Sequence, residues 1–269
     1  MPMSQSLFTV FAPLLRTITE SELRAEIAQP QRLLIESADF RGKKLDVAFA
    51  PFDYVNPAAQ IVIVGLTPGR QQMANALLAA SRSLKNGDSE AQAMREVKTF
   101  ASFSGPMRAN LIAMLDAIGV NQWLRIATTG SLWEADAPRV QFTSVLRYPV
   151  FVNGANYSGA PAPISSPFLR RQLLTWFTTE LALLPHAVFV PLGPAVDEAL
   201  RVAAREVGFD CRRVLSSLPH PSGANAERIA FFLGRKRREA LSSKVDPDKL
   251  IAAKQRLDQQ VFALAAIQD

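Results

Sequence analysis

Apolar positions along the chain fall into two periods. Ile61-Val62-Ile63-Val64 is an unbroken β-branched run, the pattern of a strand buried on both faces. Val140 to Val145, Ala187 to Leu192 and Cys211 to Leu215 read as further short strands. Between them the period is helical. Gln71 to Leu84, Ser89 to Phe100, Met107 to Ile118, Pro167 to Leu184, Pro194 to Val207 and Ala224 to about Leu241 are expected helices. In the third of these Leu111, Met114, Leu115 and Ile118 share one face. Thr19-Glu20-Ser21-Glu22 has the spacing of an N-terminal capping box, with Leu23, Ile27 and Leu33 beyond it and Pro30 limiting its regularity. Asp246-Pro247 opens a terminal amphipathic helix that packs through Leu250, Leu257, Val261 and Leu264. Val47 to Pro57 and Tyr148 to Pro163 are rich in turn residues and read as loops.

Strands alternating with helices predict an α/β fold, a three-layer α/β/α sandwich around a mainly parallel four-stranded sheet. The expected organisation is a single domain over residues 1–269, with an N-terminal extension over about 1–57 and a C-terminal helix over about 246–267. No internal repeat interrupts it.

Composition narrows the function classes. Hydrophobic residues make up 48% and charged residues 20%, which places the chain among globular proteins. The net charge of +6 favours a polyanionic partner, although a solvated basic surface reads the same way. One cysteine, Cys211, excludes an internal disulfide, and with 2 histidines it excludes a Cys/His zinc centre or an iron–sulfur cluster. No metal and no cofactor are expected. The apolar stretch Leu7 to Leu15 is too short to span a membrane and no basic segment precedes it, so a soluble cytoplasmic monomer is expected.

Two short segments carry candidate chemistry. Gly65-Leu66-Thr67-Pro68-Gly69 follows the first strand, where ligands of open α/β sheets bind. By itself it reads as an ordinary strand-to-helix turn. Leu218-Pro219-His220-Pro221-Ser222-Gly223 holds a histidine between two prolines. A lone histidine is most often a structural one, and the other, His186 after Pro185, is read that way.

Taken together, Gly65-x-x-Pro68-Gly69 and His220-Pro221-Ser222 resemble the two active-site motifs of the uracil-DNA glycosylase superfamily. The resemblance covers roughly residues 61–232 and implies a base flipped from DNA and hydrolysis of its N-glycosidic bond. It implies that His220 stabilises the departing base and that Thr67, where relatives carry Asp, Asn or Ala, positions water. No carboxylate stands in this turn, and threonine is no base at neutral pH. Gly65 and Leu66 would hold the base. Phe103, in Phe100-Ala101-Ser102-Phe103-Ser104-Gly105, matches the stacking aromatic of the iron–sulfur branch, whose cysteines are missing. Ser144 stands where relatives read the pyrimidine edge with Asn, and Asn153, Asn156 and Tyr157 are replacement contacts or turn residues.

DNA contacts would come from Pro68, Gly69, Arg70, Ser222, Gly223, Asn225 and Arg228, with Ala224, Asn225 or Arg228 entering the duplex. Arg147 is either a phosphate contact or a buried ion-pair member, and the basic Arg235 to Arg238 segment reads as a solvated helix end. The expected activity is excision of uracil or another modified base. Excision of modified cytosines from phage DNA, and a DNA-binding relative without catalysis, are the alternatives. A free-nucleotide site is disfavoured because no phosphate-loop signature is present.

Overall fold

A computed structural model describes residues 6–100 and 105–265, except the side chains of 98–100 and 105. The elements run, in chain order, α1 (Leu7–Thr17), α2 (Glu20–Ala28), β1 (Leu34–Phe40), β2 (Lys43–Ala48), β3 (Ile61–Gly65), α3 (Arg70–Lys85), α4 (Glu90–Phe100), α5 (Gly105–Ala117) and α6 (Val120–Trp123). They continue with β4 (Val140–Ser144), β5 (Val150–Val152), β6 (Ala155–Asn156), α7 (Pro167–Leu183), β7 (Val188–Pro191), α8 (Pro194–Val207), α9 (Ala226–Phe232) and α10 (Pro247–Ala265). The chain forms two compact units, each assembled from several segments. The first takes the described parts of Met1–Val55, Gly65–Ser102 and Phe142–Leu183, and the second those of Asn56–Val64, Phe103–Gln141 and Leu184–Asp269.

The fold is mixed α/β. One sheet has the order β4-β3-β7. β3 and β7 are parallel, in register from Ile61↔Val188 to Val64↔Pro191. β4 runs in the same sense: Gln60 N–H donates to Arg139 O before the strands, and Val145 N–H donates to Gly65 O after them. Ile61 to Val64 and Val188 to Val190 are fully buried, which explains their unbroken β-branched and aromatic sequence. The expected fourth strand is reduced to one bridge. Cys211–Arg213 is a 3-10 turn capped by the Asp210 carboxylate, and only Val214 pairs, with Phe189.

The second sheet, β1-β2-β5-β6, is antiparallel and was not expected. β1 and β2 form a hairpin whose turn places Arg41 and Gly42 at positive φ. β5 and β6 lie inside the segment expected to be a loop, folded back through Asn153 at φ 49° and Gly154 at φ 78°. The alternation of this sheet is weak because β1 is largely half-exposed.

In the first unit the core forms where Phe8, Leu15, Leu23, Val47, Phe49, Leu77, Tyr148, Phe151, Leu173 and Phe177 are buried. α2 begins with the predicted box: Thr19 and Glu22 cap one another's backbone N–H groups. In the second unit Leu111, Leu115, Val120, Phe189, Leu200, Ile229, Leu257 and Val261 are buried, and Phe209 meets the Phe189 ring edge-on at 5.0 Å. α8 begins at Pro194 and ends at Gly208, whose φ of 66° only glycine adopts without strain. α9 is much shorter than the sequence suggested, because Leu233 leaves the helix and Gly234 turns at φ 71°.

Candidate functional site

The glycine-proline turn belongs to the first unit and the His220 loop to the second, and each has its own local logic. In the turn, Gly65 and Leu66 give their carbonyls to Val145 and Leu146 N–H. Pro68 is buried and offers no surface to DNA, which corrects its expected role. The Thr67 hydroxyl donates to Tyr148 O at 3.0 Å and accepts from Val150 N–H at 3.2 Å. Its proton is therefore used, and the hydroxyl ties the turn to the start of β5. Thr67 is a clasp in this structure, and only one hydroxyl lone pair remains to accept from a water.

The start of α3 is equally occupied. Gly69 N–H donates to the Gln72 side chain at 3.0 Å and Arg70 N–H to the Asn156 side chain at 3.0 Å. Gly69 thus caps the helix. The Arg70 guanidinium donates to the carbonyls of Ile27, Ala28 and Gly154 and lies 4.2 Å from the Phe151 ring centre. Three of its five N–H donors are spent on the chain itself, so Arg70 is anchored rather than a free phosphate contact. Asn153 turns the β5–β6 hairpin, and its side chain accepts from Lys44 N–H at 2.9 Å, which removes it from the base-reading set. Ser144 ends β4, half-buried, and its hydroxyl makes no hydrogen bond to any described residue. Phe103 lies outside the described residues.

Sequence reasoning missed Asp53. Its Oδ1 accepts from Ser6 Oγ, Phe8 N–H and Tyr148 OH, at 3.0, 3.3 and 2.9 Å. Its Oδ2 is buried without a partner. Burial and the Asp53 charge push the Tyr148 phenol far above its ordinary range. Arg147 is the ion-pair member of the two readings: it is buried, 3.8 Å from buried Glu180, and donates to Trp176 O. No sequence pattern marks Asp53, because its partners lie up to 95 residues away.

In the second unit the His220 ring is fixed by its own loop. Ser222 N–H donates to Nδ1 at 3.2 Å, so Nδ1 is an acceptor and the neutral ring carries its proton on Nε2. The Ser222 hydroxyl lies 3.0 Å from the same nitrogen, and Asn225 Nδ2 donates to that hydroxyl at 3.4 Å. Ser222 and Asn225 therefore orient His220. Gly223 and Ala224 form the exposed tip of the loop. Pro221 is held from α5 by Asn110, which donates to its carbonyl at 2.9 Å. Burial lowers the His220 pKa and favours the neutral ring. On its other side stands Gly193, at φ 101°; a β-carbon there would sit 3.6 Å from His220 Cδ2.

His220 lines a cleft of about 960 Å³ whose facing wall is α10, including Lys249 and Arg256. Arg228 also lines it, while donating to Asn225 Oδ1 and Lys244 O. Chemically, the His220 loop is a fixed, neutral N–H donor at the edge of a basic cleft. Among the described residues no group of three or more His, Cys, Asp or Glu side chains could hold a metal ion, and no helix is long and apolar enough to cross a membrane. Cys211 is a free thiol.

These features define a mixed α/β protein with a parallel β4-β3-β7 sheet and a preset histidine loop beyond β7. The Uncharacterized protein YoxB of Bacillus subtilis (strain 168) is 35% identical over 219 residues, which cover 80% of this chain and 82% of the relative. The chain belongs to the YoxB family. No family model matches the chain, and no solved structure matches it.

Proposed function

We propose that the protein is a DNA glycosylase of the uracil-DNA glycosylase superfamily type, acting on uracil or another modified base. The observation that carries the reading is the His220 tautomer. Ser222 N–H occupies Nδ1, which leaves Nε2–H as the outward donor. Glycosidic cleavage moves an electron pair from the C1′–N bond onto the base, while a water oxygen bonds to C1′ and releases a proton to bulk solvent, from which the departed base anion is later protonated. A neutral N–H donor at the base oxygen stabilises that charge without transferring a proton. The lowered His220 pKa suits this role, because a neutral ring keeps its direction and charge across the neutral range.

In this reading Gly65, Leu66 and Ser144 keep the base-holding roles that the resemblance gives them, and the chain is a cytoplasmic monomer with a three-layer α/β/α core and DNA as its partner. Uracil and modified cytosines of phage DNA are the substrates to compare. The test is alkali-detected abasic sites on oligonucleotides carrying uracil, hypoxanthine, xanthine or modified cytosines. Product that falls by about 10²–10³ in His220→Ala supports the reading. DNA binding without product on any of them would refute the enzyme.

A second reading, a DNA-binding relative without catalysis, is favoured by one observation. The turn has no carboxylate, and the Thr67 hydroxyl is committed to Tyr148 O and Val150 N–H. It predicts salt-dependent binding that His220→Ala leaves unchanged.

A further inference from the structure

Beyond the His220 loop, the second unit carries a second cleft of about 940 Å³ along the same face of α10. It shares Asp197, Ser217, Arg256 and Gln259 with the first, so the two form one groove walled by α8 and α10. Its basic side chains are Arg201, Arg212, Arg213, Arg228, Lys249 and Arg256; its carboxylates are Asp197 and Asp210.

The two carboxylates are already neutralised. Asp197 Oδ1 accepts from Arg201 Nε at 3.1 Å and from Ser216 Oγ at 2.6 Å, and Asp210 lies 2.9 Å from Arg212. Arg213 donates to a backbone carbonyl, that of His186, and Arg228 to Asn225 Oδ1 and Lys244 O. Lys249 is exposed and only loosely placed, 3.8 Å from Asp246. Arg256 is exposed, and its guanidinium makes no hydrogen bond or ion pair with any described residue. The groove therefore keeps several uncompensated cations of one sign.

α10 contributes two of these cations, Lys249 and Arg256, from one regular face. Lys249, Ala252, Arg256, Gln259 and Ala263 recur on one face of α10 and all line the groove. Fourteen residues of helix span about 21 Å, the axial length of about six nucleotides of a duplex strand. Ala252 and Ala263 leave room for close approach, while Gln259 and Gln260 add neutral donors. Among the described residues no Phe, Tyr or Trp lines either cleft, so the large apolar aromatic anchors of protein–protein interfaces are missing. Ser217, which lines both clefts, is held at φ 77°, a strained conformation for a residue with a side chain.

We propose that the groove between α8 and α10 is a track for the phosphodiester backbone of a nucleic acid, running away from His220. It rests on the DNA partner of the reading above but not on its chemistry. Arg256 and Lys249 contact phosphates, and Arg201, held by Asp197 and Ser216, supports the groove floor.

The test is fluorescence anisotropy of the full chain with short unmodified single-stranded and duplex oligonucleotides across a salt series. The variants are Arg256→Glu, Lys249→Glu and the pair, with exposed Arg24→Glu on α2 as a control for net charge. The double variant is expected to bind at least about tenfold more weakly, with a salt slope shallower by about one per lost phosphate contact. Arg24→Glu is expected to bind as wild type. Thermal melts confirm that both groove variants fold.

Equal affinity and slope in wild type and the double variant would overturn the track. So would displacement of the oligonucleotide by polyglutamate as readily as by DNA, which would make the occupant an acidic peptide. Equal displacement by inorganic phosphate would make it a simple anion site and also overturn the track. Excision on the same proteins separates the two readings: groove variants that bind and excise normally sink only the track. Wild type that binds without excising sinks only the glycosylase, and wild type that binds no nucleic acid sinks both.

Discussion

Gly193→Ala tests how the His220 loop is held. Gly193 sits at φ 101° and ψ 162°, a region open essentially to glycine alone. It follows β7 and is the N-cap of α8, so the peptide cannot rotate without moving Pro194. An added β-carbon would lie 3.6 Å from His220 Cδ2 and 3.9 Å from His220 Cβ, ordinary contact distances. The cost is therefore backbone strain, about 1–3 kcal/mol, with no steric clash to add. Gly208→Ala is the internal comparison. Gly208 is at φ 66° and ψ 30°, with nothing within 4 Å of an added β-carbon. That left-handed position costs an alanine only about 1 kcal/mol. Urea midpoints at constant m-value give both numbers. Gly193→Ala should lose more stability than Gly208→Ala. If the peptide relaxes instead, His220 loses its neighbour and excision falls more than stability does. A Gly193→Ala protein as stable as wild type, or less perturbed than Gly208→Ala, would refute the argument that this backbone geometry holds the loop.

Four further outcomes follow from individual contacts. Thr67→Val should cost about 1–3 kcal/mol in urea unfolding, because Tyr148 O and Val150 N–H lose their shared partner; Thr67→Ser should restore the loss, and excision by folded Thr67→Val should match wild type. Asp53→Ala should be the more damaging change, at about 1–3 kcal/mol for each donor left buried, since Ser6, Phe8 and Tyr148 all donate to it; a wild-type melting temperature would contradict this. Excision should be flat through neutrality and fall only at a pH below the ordinary imidazole range, because burial lowers the His220 pKa and keeps the ring neutral to lower pH. The same group adds stability that is complete above 6.5 and lost as pH falls through its folded value; a rise of activity on acidification would refute a neutral donor. Hydrogen bonds from Lys236 and Ser242 hold Glu227 at about 2, so its contribution is present above 4.5 and lost between there and about 2; Glu227→Gln should flatten acid unfolding in that window alone.

The hydrophobic pattern alone sufficed for β3, β4, β7 and for α3, α4, α5, α7, α8 and α10, whose observed bounds differ from the expected ones by only a few residues. These elements are each buried on a continuous stripe or on both faces, so their period is written locally. The Thr19–Glu22 capping box was legible for the same reason: every atom it needs lies within one turn.

What was not legible depends on partners distant in sequence. The hairpins β1–β2 and β5–β6 join one sheet through Leu45↔Val152 and Val47↔Val150, a pairing that no local period announces. The Cys211 to Leu215 run reads as a strand, yet Asp210 caps a 3-10 turn there and only Val214 reaches a neighbour. The candidate residues divide in the same way. His220 could be chosen from sequence, because its prolines and Ser222 are adjacent to it. Its tautomer required the bond from Ser222 N–H, and its neighbour Gly193 and the α10 wall of its cleft required the fold. Thr67, Arg70 and Asn153 looked available in sequence and were claimed by Tyr148, Ile27 and Lys44. A side chain's type is written in the sequence, whereas the availability of its donors and acceptors is decided by whichever backbone groups folding buries beside it and leaves to be satisfied.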